Sequence, residues 1–471
     1  MAITIQQYPE QINMANADLV WVVTSNESTS DQYQFVCDVQ DGCGNVLTTI
    51  KQQPNPSDKG VFNLGRIIKQ YLDYDNIALT AASPGSLFKK NQETAKFFKI
   101  AFGEEYGTSP SSSVTTYTGV GAGTGNPAQT GSLPYYYFIN GYVDPNDGSF
   151  NWDTGSNFIY ETTPAAGTFS HNVCLTDAPR TQYAKSTDYQ SISFLNGNIT
   201  EDTSSAQDVT WVKYTFYSGS TAYASASFAN NDLAGNFTNS GGPRTGSSDT
   251  WDGAAAIQPC SNNRGTQTSG SLLIHLGIGP QNLLDNGNVD GITGSWDYYT
   301  VTLHPQDSVQ QGFYNENSVW DSFTINRQYG DCSYPGTRFA WVNDYGVFDY
   351  FNFTLQENKS TTIDRGIYRQ TFVDYSTDSN AVTYNRERRG RNAYYTNIGE
   401  NFAVNSDWLT QAQADWLAQL FYSPNVFVQS GSVWLPVTIN DSEFISKTNP
   451  RTQKNFQYLI NYSIANPKRP R

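Results

Sequence analysis

Charge is what this 471-residue chain has least of: Asp, Glu, Lys and Arg together make up 15% of it, against about a quarter in ordinary globular domains. Methionine is nearly absent, with two residues, so flexible filler hardly enters its cores. The five cysteines, Cys37, Cys43, Cys174, Cys260 and Cys332, are odd in number and scattered. That pattern implies neither a disulfide framework nor a zinc site, and the expectation is a reducing compartment. No apolar run approaches the ~18 residues of a membrane span. The opening MAITIQQYPEQINMAN has neither the basic nor the apolar region of a secretory signal. The net charge of −15 and the pI of about 4.6 argue against a nucleic-acid partner, which needs a basic footprint. They argue equally against adsorption to an anionic membrane.

Recognisable chemistry is missing too. The chain has no HExxH, no GxxxxGK[ST] and no GxGxxG between a strand and a helix. GVGAGTG (119–125) has the glycines, but no helical pattern follows it. Of three histidines, His171 belongs to no motif, His275 lies inside the apolar run LLIHLGIG, and His304 ends another. Pairing of those two strands would bring His275 and His304 together, and both read as hydrogen-bonded structural residues. NGNVDGITGSWD (286–297) places Asn286, Asn288, Asp290, Gly291 and Asp297 at calcium-loop spacing. It opens on Asn, closes on the shorter Asp and lies between strands without flanking helices, so it reads as an ordinary Asn/Gly loop. Asp344 and Asp349 make a carboxylate pair of a kind any Asp-rich β-protein offers. No catalytic residue, cofactor ligand or metal ligand is assigned, and the chain is expected not to be an enzyme.

What is present is aromatic. Tyr, Phe and Trp reach 14%, with 31 Tyr and 26 Phe, among uncharged polar residues and Gly/Asn/Asp turns. Short strands at even spacing predict a mainly β fold of several antiparallel sandwich- or barrel-like modules. Two short helices are expected. In 63–74, Leu64, Ile67, Ile68, Tyr71 and Leu72 form one apolar stripe, with Asn63 placed to cap it. In 411–422, Thr410 and Gln413 make a capping box and Leu409 a staple. The chain divides into an N-terminal β domain (1–106), a Gly/Ser/Thr linker (107–134) and a central sandwich-like region (135–330). An aromatic hairpin region (331–400) and a C-terminal helix with strands (401–471) follow.

The densest aromatic stretch is RFAWVNDYGVFDYFNFTL (338–355). Asn343-Asp344-Tyr345-Gly346 is turn chemistry between two strand-like runs, so a hairpin is expected. Val347, Asp349, Phe351, Phe353 and Leu355 share one face, expected to be core with Asp349 as its anomaly. Aromatic cross-strand pairs stiffen sheets, and packing is the reading of this hairpin. Two basic spots stand out on the acidic chain: Arg386, Arg388, Arg389 and Arg391 in NRERRGRN, and Lys468, Arg469 and Arg471 at the end. They are the candidate interface residues, suited to an acidic neighbour or another copy of the chain.

MAITIQQYPEQINMANADLVWVV and KGVFNLGRIIKQYLDYD resemble the start of virion proteins of tailed phages infecting Bacteroidetes and marine bacteria. CSYPGTRFAWVNDYGVFDYFNFTL resembles their central signature, and WLAQLFYSPNVFVQSGSVWLPVTINDSEFISKTN their C-terminal module. The resemblance covers both ends and the hairpin, and leaves out roughly 107–250. It implies a virion structural protein, a tail, adaptor or fibre component assembled in the host cytoplasm, whose partners are other virion proteins and copies of itself. The alternative is a carbohydrate-binding host-recognition protein that uses exposed Tyr and Trp of the middle region on a host surface glycan. A polysaccharide depolymerase and a capsid decoration protein stand behind it.

Overall fold

The computed structural model describes residues 3–9, 12–75, 87–91, 93–107, 135–142, 174–195, 209, 211–229, 273–287, 289–304, 319–329, 336–371, 373–384, 387, 390–431, 433–441 and 457–466. Among the described residues strands make up 56% and helices 9%, and the sheets close into no barrel. The chain forms two units. One holds residues 1–329 with 342–349; the other holds 330–341 with 350–471.

The first unit has two main cores. Thr4–Gln7, Val20–Thr24 and Lys59–Asn63 form an antiparallel sheet. A five-stranded sheet runs Ile12–Met14, Tyr135–Ile139, Ala95–Glu105, Gln34–Asp41, Val46–Gln52, antiparallel except at its first pair. Trp21, Phe35, Phe102 and Phe138 from the two sheets share a core. Aromatic and β-branched side chains of this kind fit a pleated, buried surface. The second core lies between Ser191–Leu195/Leu273–Gly277/Phe88–Lys90 and a sheet of Thr181–Ala184, Asp321–Arg327, Tyr298–His304, Trp211–Ser218 and Thr221–Ala229. Tyr135–Ile139, grouped with the central region from composition, hydrogen-bonds along Ala95–Glu105. Phe88–Lys90 of the N-terminal stretch pairs with Leu273–Gly277.

Two helices differ from expectation. The stripe of 63–74 is inward, with Leu64, Ile68 and Leu72 buried, but the helix itself spans only Gly65–Lys69. Asn63 accepts from the Gly65 N–H at 3.3 Å. A third helix, Pro280–Asn286, starts on proline and ends at Gly287 in a left-handed conformation. It directly precedes the loop that was expected to lack flanking helices. No described helix is long and apolar enough to cross a membrane.

The second unit is built on a seven-stranded sheet. Its order is Phe348–Phe353, Thr337–Val342, Val426–Ser430, Val433–Ile439, Leu459–Ile464, Arg391–Asn405, Glu357–Arg369. Helix Gln411–Tyr422 has the expected capping box, with Thr410 and Gln413 bonded reciprocally. Its inward Trp416 meets Trp341 at 5.1 Å between ring centroids and Phe351 at 5.9 Å.

The hairpin of 338–355 forms as its turn residues require. The Asn343 N–H donates to Val347 O, and the Asn343 side chain accepts from the Tyr345 and Val347 N–H groups. Gly346 has φ +80°, and a Cβ there would lie 2.5 Å from Asn140 O. Trp341 and Phe353 are fully buried, while Phe351 is half-buried. Asp349 is no anomaly: its carboxylate accepts from the Thr176 hydroxyl at 2.7 Å. The second face is buried as well, with Phe348, Tyr350 and Asn352 enclosed.

Candidate assembly interface

The last two strands of the seven-stranded sheet outrun the rest of it. Glu357–Arg369 pairs with Arg391–Val404 along its whole length, from Glu357↔Val404 to Arg369↔Arg391. The neighbouring strand Leu459–Ile464 supports only Asn401–Asn405. Residues 362–369 and 391–400 therefore continue as a two-stranded ribbon, roughly 26 Å long at about 3.3 Å per residue. Val373–Ser376 and Ala381–Tyr384 prolong it as a second small hairpin.

No described residue from 356 to 403 is buried. A two-stranded ribbon in water is marginally stable at best, because neither face has a core to cover. Its composition does not suit a solvated arm. Ile363 lies opposite Ile398; Ile363 is exposed and Ile398 only half-buried. Tyr394 and Tyr384 are exposed by 67% and 69%. Tyr368, Tyr394 and Tyr395 form a chain of ring contacts, at 6.3 and 4.9 Å. Tyr395 and Tyr394 close over Gly366, where a Cβ would meet their rings at 2.2 and 2.6 Å. A bulge after Gly366 sets this crossing. Contiguous exposed apolar surface of this kind marks interaction sites.

The electrostatics are as telling. Near the base, Lys359 pairs with Glu400 at 2.9 Å and lies over the Phe402 ring. Further out, Arg369 stands directly opposite Arg391. Like charges facing each other across a ladder repel, and among the described residues neither arginine has a carboxylate partner. Arg391 is thus the expected interface residue that the structure describes, exposed on the ribbon. Arg386, Arg388, Arg389, Lys468 and Arg469 lie outside the described residues, as do His171, Asn288 and GVGAGTG.

The first unit holds a constellation that sequence reading missed. The Ser193 hydroxyl is 2.8 Å from His275 Nδ1, and His275 Nε2 is 2.8 Å from Asp75 Oδ2. Asp75 Oδ1 accepts from the Glu93 N–H at 2.8 Å. The residue types are those of a nucleophilic triad, but the setting is not. A nucleophilic serine sits on a sharp exposed turn beside oxyanion donors. Ser193 sits in mid-strand, directly across the ladder from His275, and all three side chains are buried. The chain of bonds ties two strands to Asp75 and, through it, to the backbone N–H of Glu93. His304 lies in another sheet and bonds Thr302 at 2.8 Å, so the two histidines are not strand partners.

Oxygens of two residues in the 286–297 loop are engaged by the chain itself. Asp297 accepts from the Gly219 N–H and from the Tyr329 hydroxyl, and Gly291 O accepts from the Tyr223 hydroxyl. No group of three or more His, Cys, Asp or Glu among the described residues could hold a metal ion. Cys37 and Cys174 are free and buried. Burial and the Asp38 carboxylate push the Cys37 thiol far up, which makes it inert. Cys43 is disulfide-bonded, which the scatter of cysteines did not lead us to expect. No known family model matches the chain, and no curated protein matches it either.

Proposed function

We propose that this chain is a non-enzymatic virion structural protein, a tail, adaptor or fibre component, that works through protein–protein contacts made by its ribbon. One observation carries the reading: the two paired strands bury no described residue from 356 to 403, while displaying Tyr, Ile and Arg. These residues, apart from Ile, are the ones enriched where proteins meet. The resemblance of both ends and the central hairpin to tailed-phage virion proteins supplies the setting, and localisation in the virion follows from it. The ribbon can be removed cleanly, because Thr362 faces Gly399 across the ladder. Replacing 363–398 by Asn-Gly closes a two-residue hairpin there. The shortened chain should fold with an unchanged thermal midpoint and fail to enter particles assembled in the host. Normal incorporation of the shortened chain would refute the reading. Glycan recognition, the alternative, rests on Tyr183, Tyr223 and Tyr329 of the central region, which are exposed. Retention of the full chain on host polysaccharide would favour it.

A further inference from the structure

The two units differ sharply in charge. Residues 1–329 with 342–349 contain 14 Lys/Arg and 32 Asp/Glu, a net of −18; residues 330–341 with 350–471 contain 14 and 11, a net of +3. In sequence, residues 365–391 of the second unit hold six arginines, Arg365, Arg369, Arg386, Arg388, Arg389 and Arg391, against Asp374, Asp378 and Glu387; Arg365, Arg369 and Arg391 are the ones described, on the ribbon.

We infer that the ribbon's partner is a second copy of this chain, and that its arginine-bearing end docks on the acidic first unit of that copy. The inference rests on the ribbon being an assembly contact, as proposed above, and adds what it contacts. Three observations converge. The facing arginines Arg369 and Arg391 form a cationic fork that repels itself until a carboxylate intervenes. The chain itself provides a unit of net charge −18 for such a fork to meet, present at the same concentration as the fork. The neighbouring Tyr368, Tyr394 and Tyr395 supply rigid amphipathic area beside the charge, and this combination of Tyr with Arg dominates binding energy at interfaces. Ribbon and acidic unit are different surfaces, so each copy can donate one and accept on the other.

The test uses the full chain. Sedimentation velocity at micromolar concentration should show self-association at low salt that weakens at high salt, because exposed charge pairs are screened. Arg369→Glu with Arg391→Glu should weaken association by about tenfold or more, while Arg369→Lys with Arg391→Lys should largely retain it. Thermal midpoints of both variants should match the parent. Cross-linking a mixture of isotopically heavy and light parent chains needs no variant. Mixed-mass links should join 365–391 to residues 1–329. A chain that stays monomeric at low salt, or links confined to single copies, would overturn the inference, as would association unaffected by charge reversal. If the parent stays monomeric while the shortened chain is excluded from particles, the partner is another virion protein. In that case this inference fails and the assembly reading stands. If the shortened chain also enters particles, both fail.

Discussion

Two hairpins stand side by side in the chain and share one alphabet. Thr337–Val342 with Phe348–Phe353 is rich in aromatics and buries all but one of its twelve residues. Glu357–Arg369 with Arg391–Asn405 is also aromatic, and buries only Val404. Aromatic density therefore separates nothing. What differs is how charge is distributed. In the first, the ionisable residues are enclosed: Arg338 donates to Asn352 Oδ1 at 2.8 Å and lies over the Tyr350 ring, and Asp349 bonds Thr176. In the second, charged and apolar residues fall on both faces. Asp364 and Arg365 are consecutive, and Ile363 and Ile367 flank them. A strand that places charge on both sides of the pleat has no face it can bury against its own chain.

The largest effect expected from this contrast is at Trp341. Its ring is fully buried against Trp416, so Trp341→Ala should lower the unfolding free energy by about 3–5 kcal/mol. Tyr394→Ala, on the ribbon, should stay within about 0.5 kcal/mol. Urea unfolding of both variants decides the matter, and similar losses at the two sites would erase the distinction between the hairpins.

The next effect tests a buried polar element against both. His275 is bonded at each ring nitrogen. His275→Ala withdraws a partner from Ser193 and from Asp75 at once, and should lower stability by about 2–3 kcal/mol. Activated esters should not be turned over by the parent chain. Hydrolysis that disappears in Ser193→Ala would make the constellation catalytic and not structural.

Local signals were legible in the sequence, and signals set by distant pairing were not. The 343–346 turn and the Thr410/Gln413 box lie within a few residues of what they specify, so the hairpin and the helix were readable. The apolar stripe at 63–74 was readable as a buried face but not as a length, since Leu64, Ile68 and Leu72 fit a short helix followed by turns equally well. Pro280 and Gly287 did bracket a helix, but Gly-Ile-Gly-Pro reads first as a turn. Ser193, His275 and Asp75 meet only because one ladder puts 193 opposite 275, and no spacing along the chain encodes that. Burial of Phe348 and Tyr350 is not encoded locally either, since alternation tells which residues share a face, not what covers it. The ribbon left a trace in Ile363-Asp364-Arg365-Gly366-Ile367, apolar at both edges of a charged pair.

A smaller effect belongs to the one helix whose start was legible residue by residue. Thr410→Ala removes the hydroxyl that accepts from the Gln413 N–H at 3.3 Å. The loss should be about 1 kcal/mol. Because this helix packs on Trp341, the change should add to that of Trp341→Ala with a measurable coupling. Strict additivity in the double variant would mean the cap and the tryptophan act on independent parts of the second unit.

The smallest effect on global stability, and the finest test of the contrast, is hydrogen exchange along the two hairpins. Amides open locally with free energies that range from near zero in frayed segments to the global value in cores. In the ribbon the bonds of 362–369 with 391–400 have no covering layer and solvent on both faces, so their opening needs little more than fraying from the far end. In the other hairpin, Phe339 and Trp341 are held between Phe348–Phe353 and Val426–Ser430, and their amides can open only with the core. At dilutions where the chain is monomeric, the ribbon should exchange early and the Phe339–Trp341 amides last. As concentration rises and copies associate, protection should spread over 362–369 and 391–400, while the buried hairpin changes little. Ribbon amides as slow as Phe339 in the monomer would show that the ribbon is rigid on its own. It would then need no partner to order it, and the difference between the hairpins would lie in exposure alone.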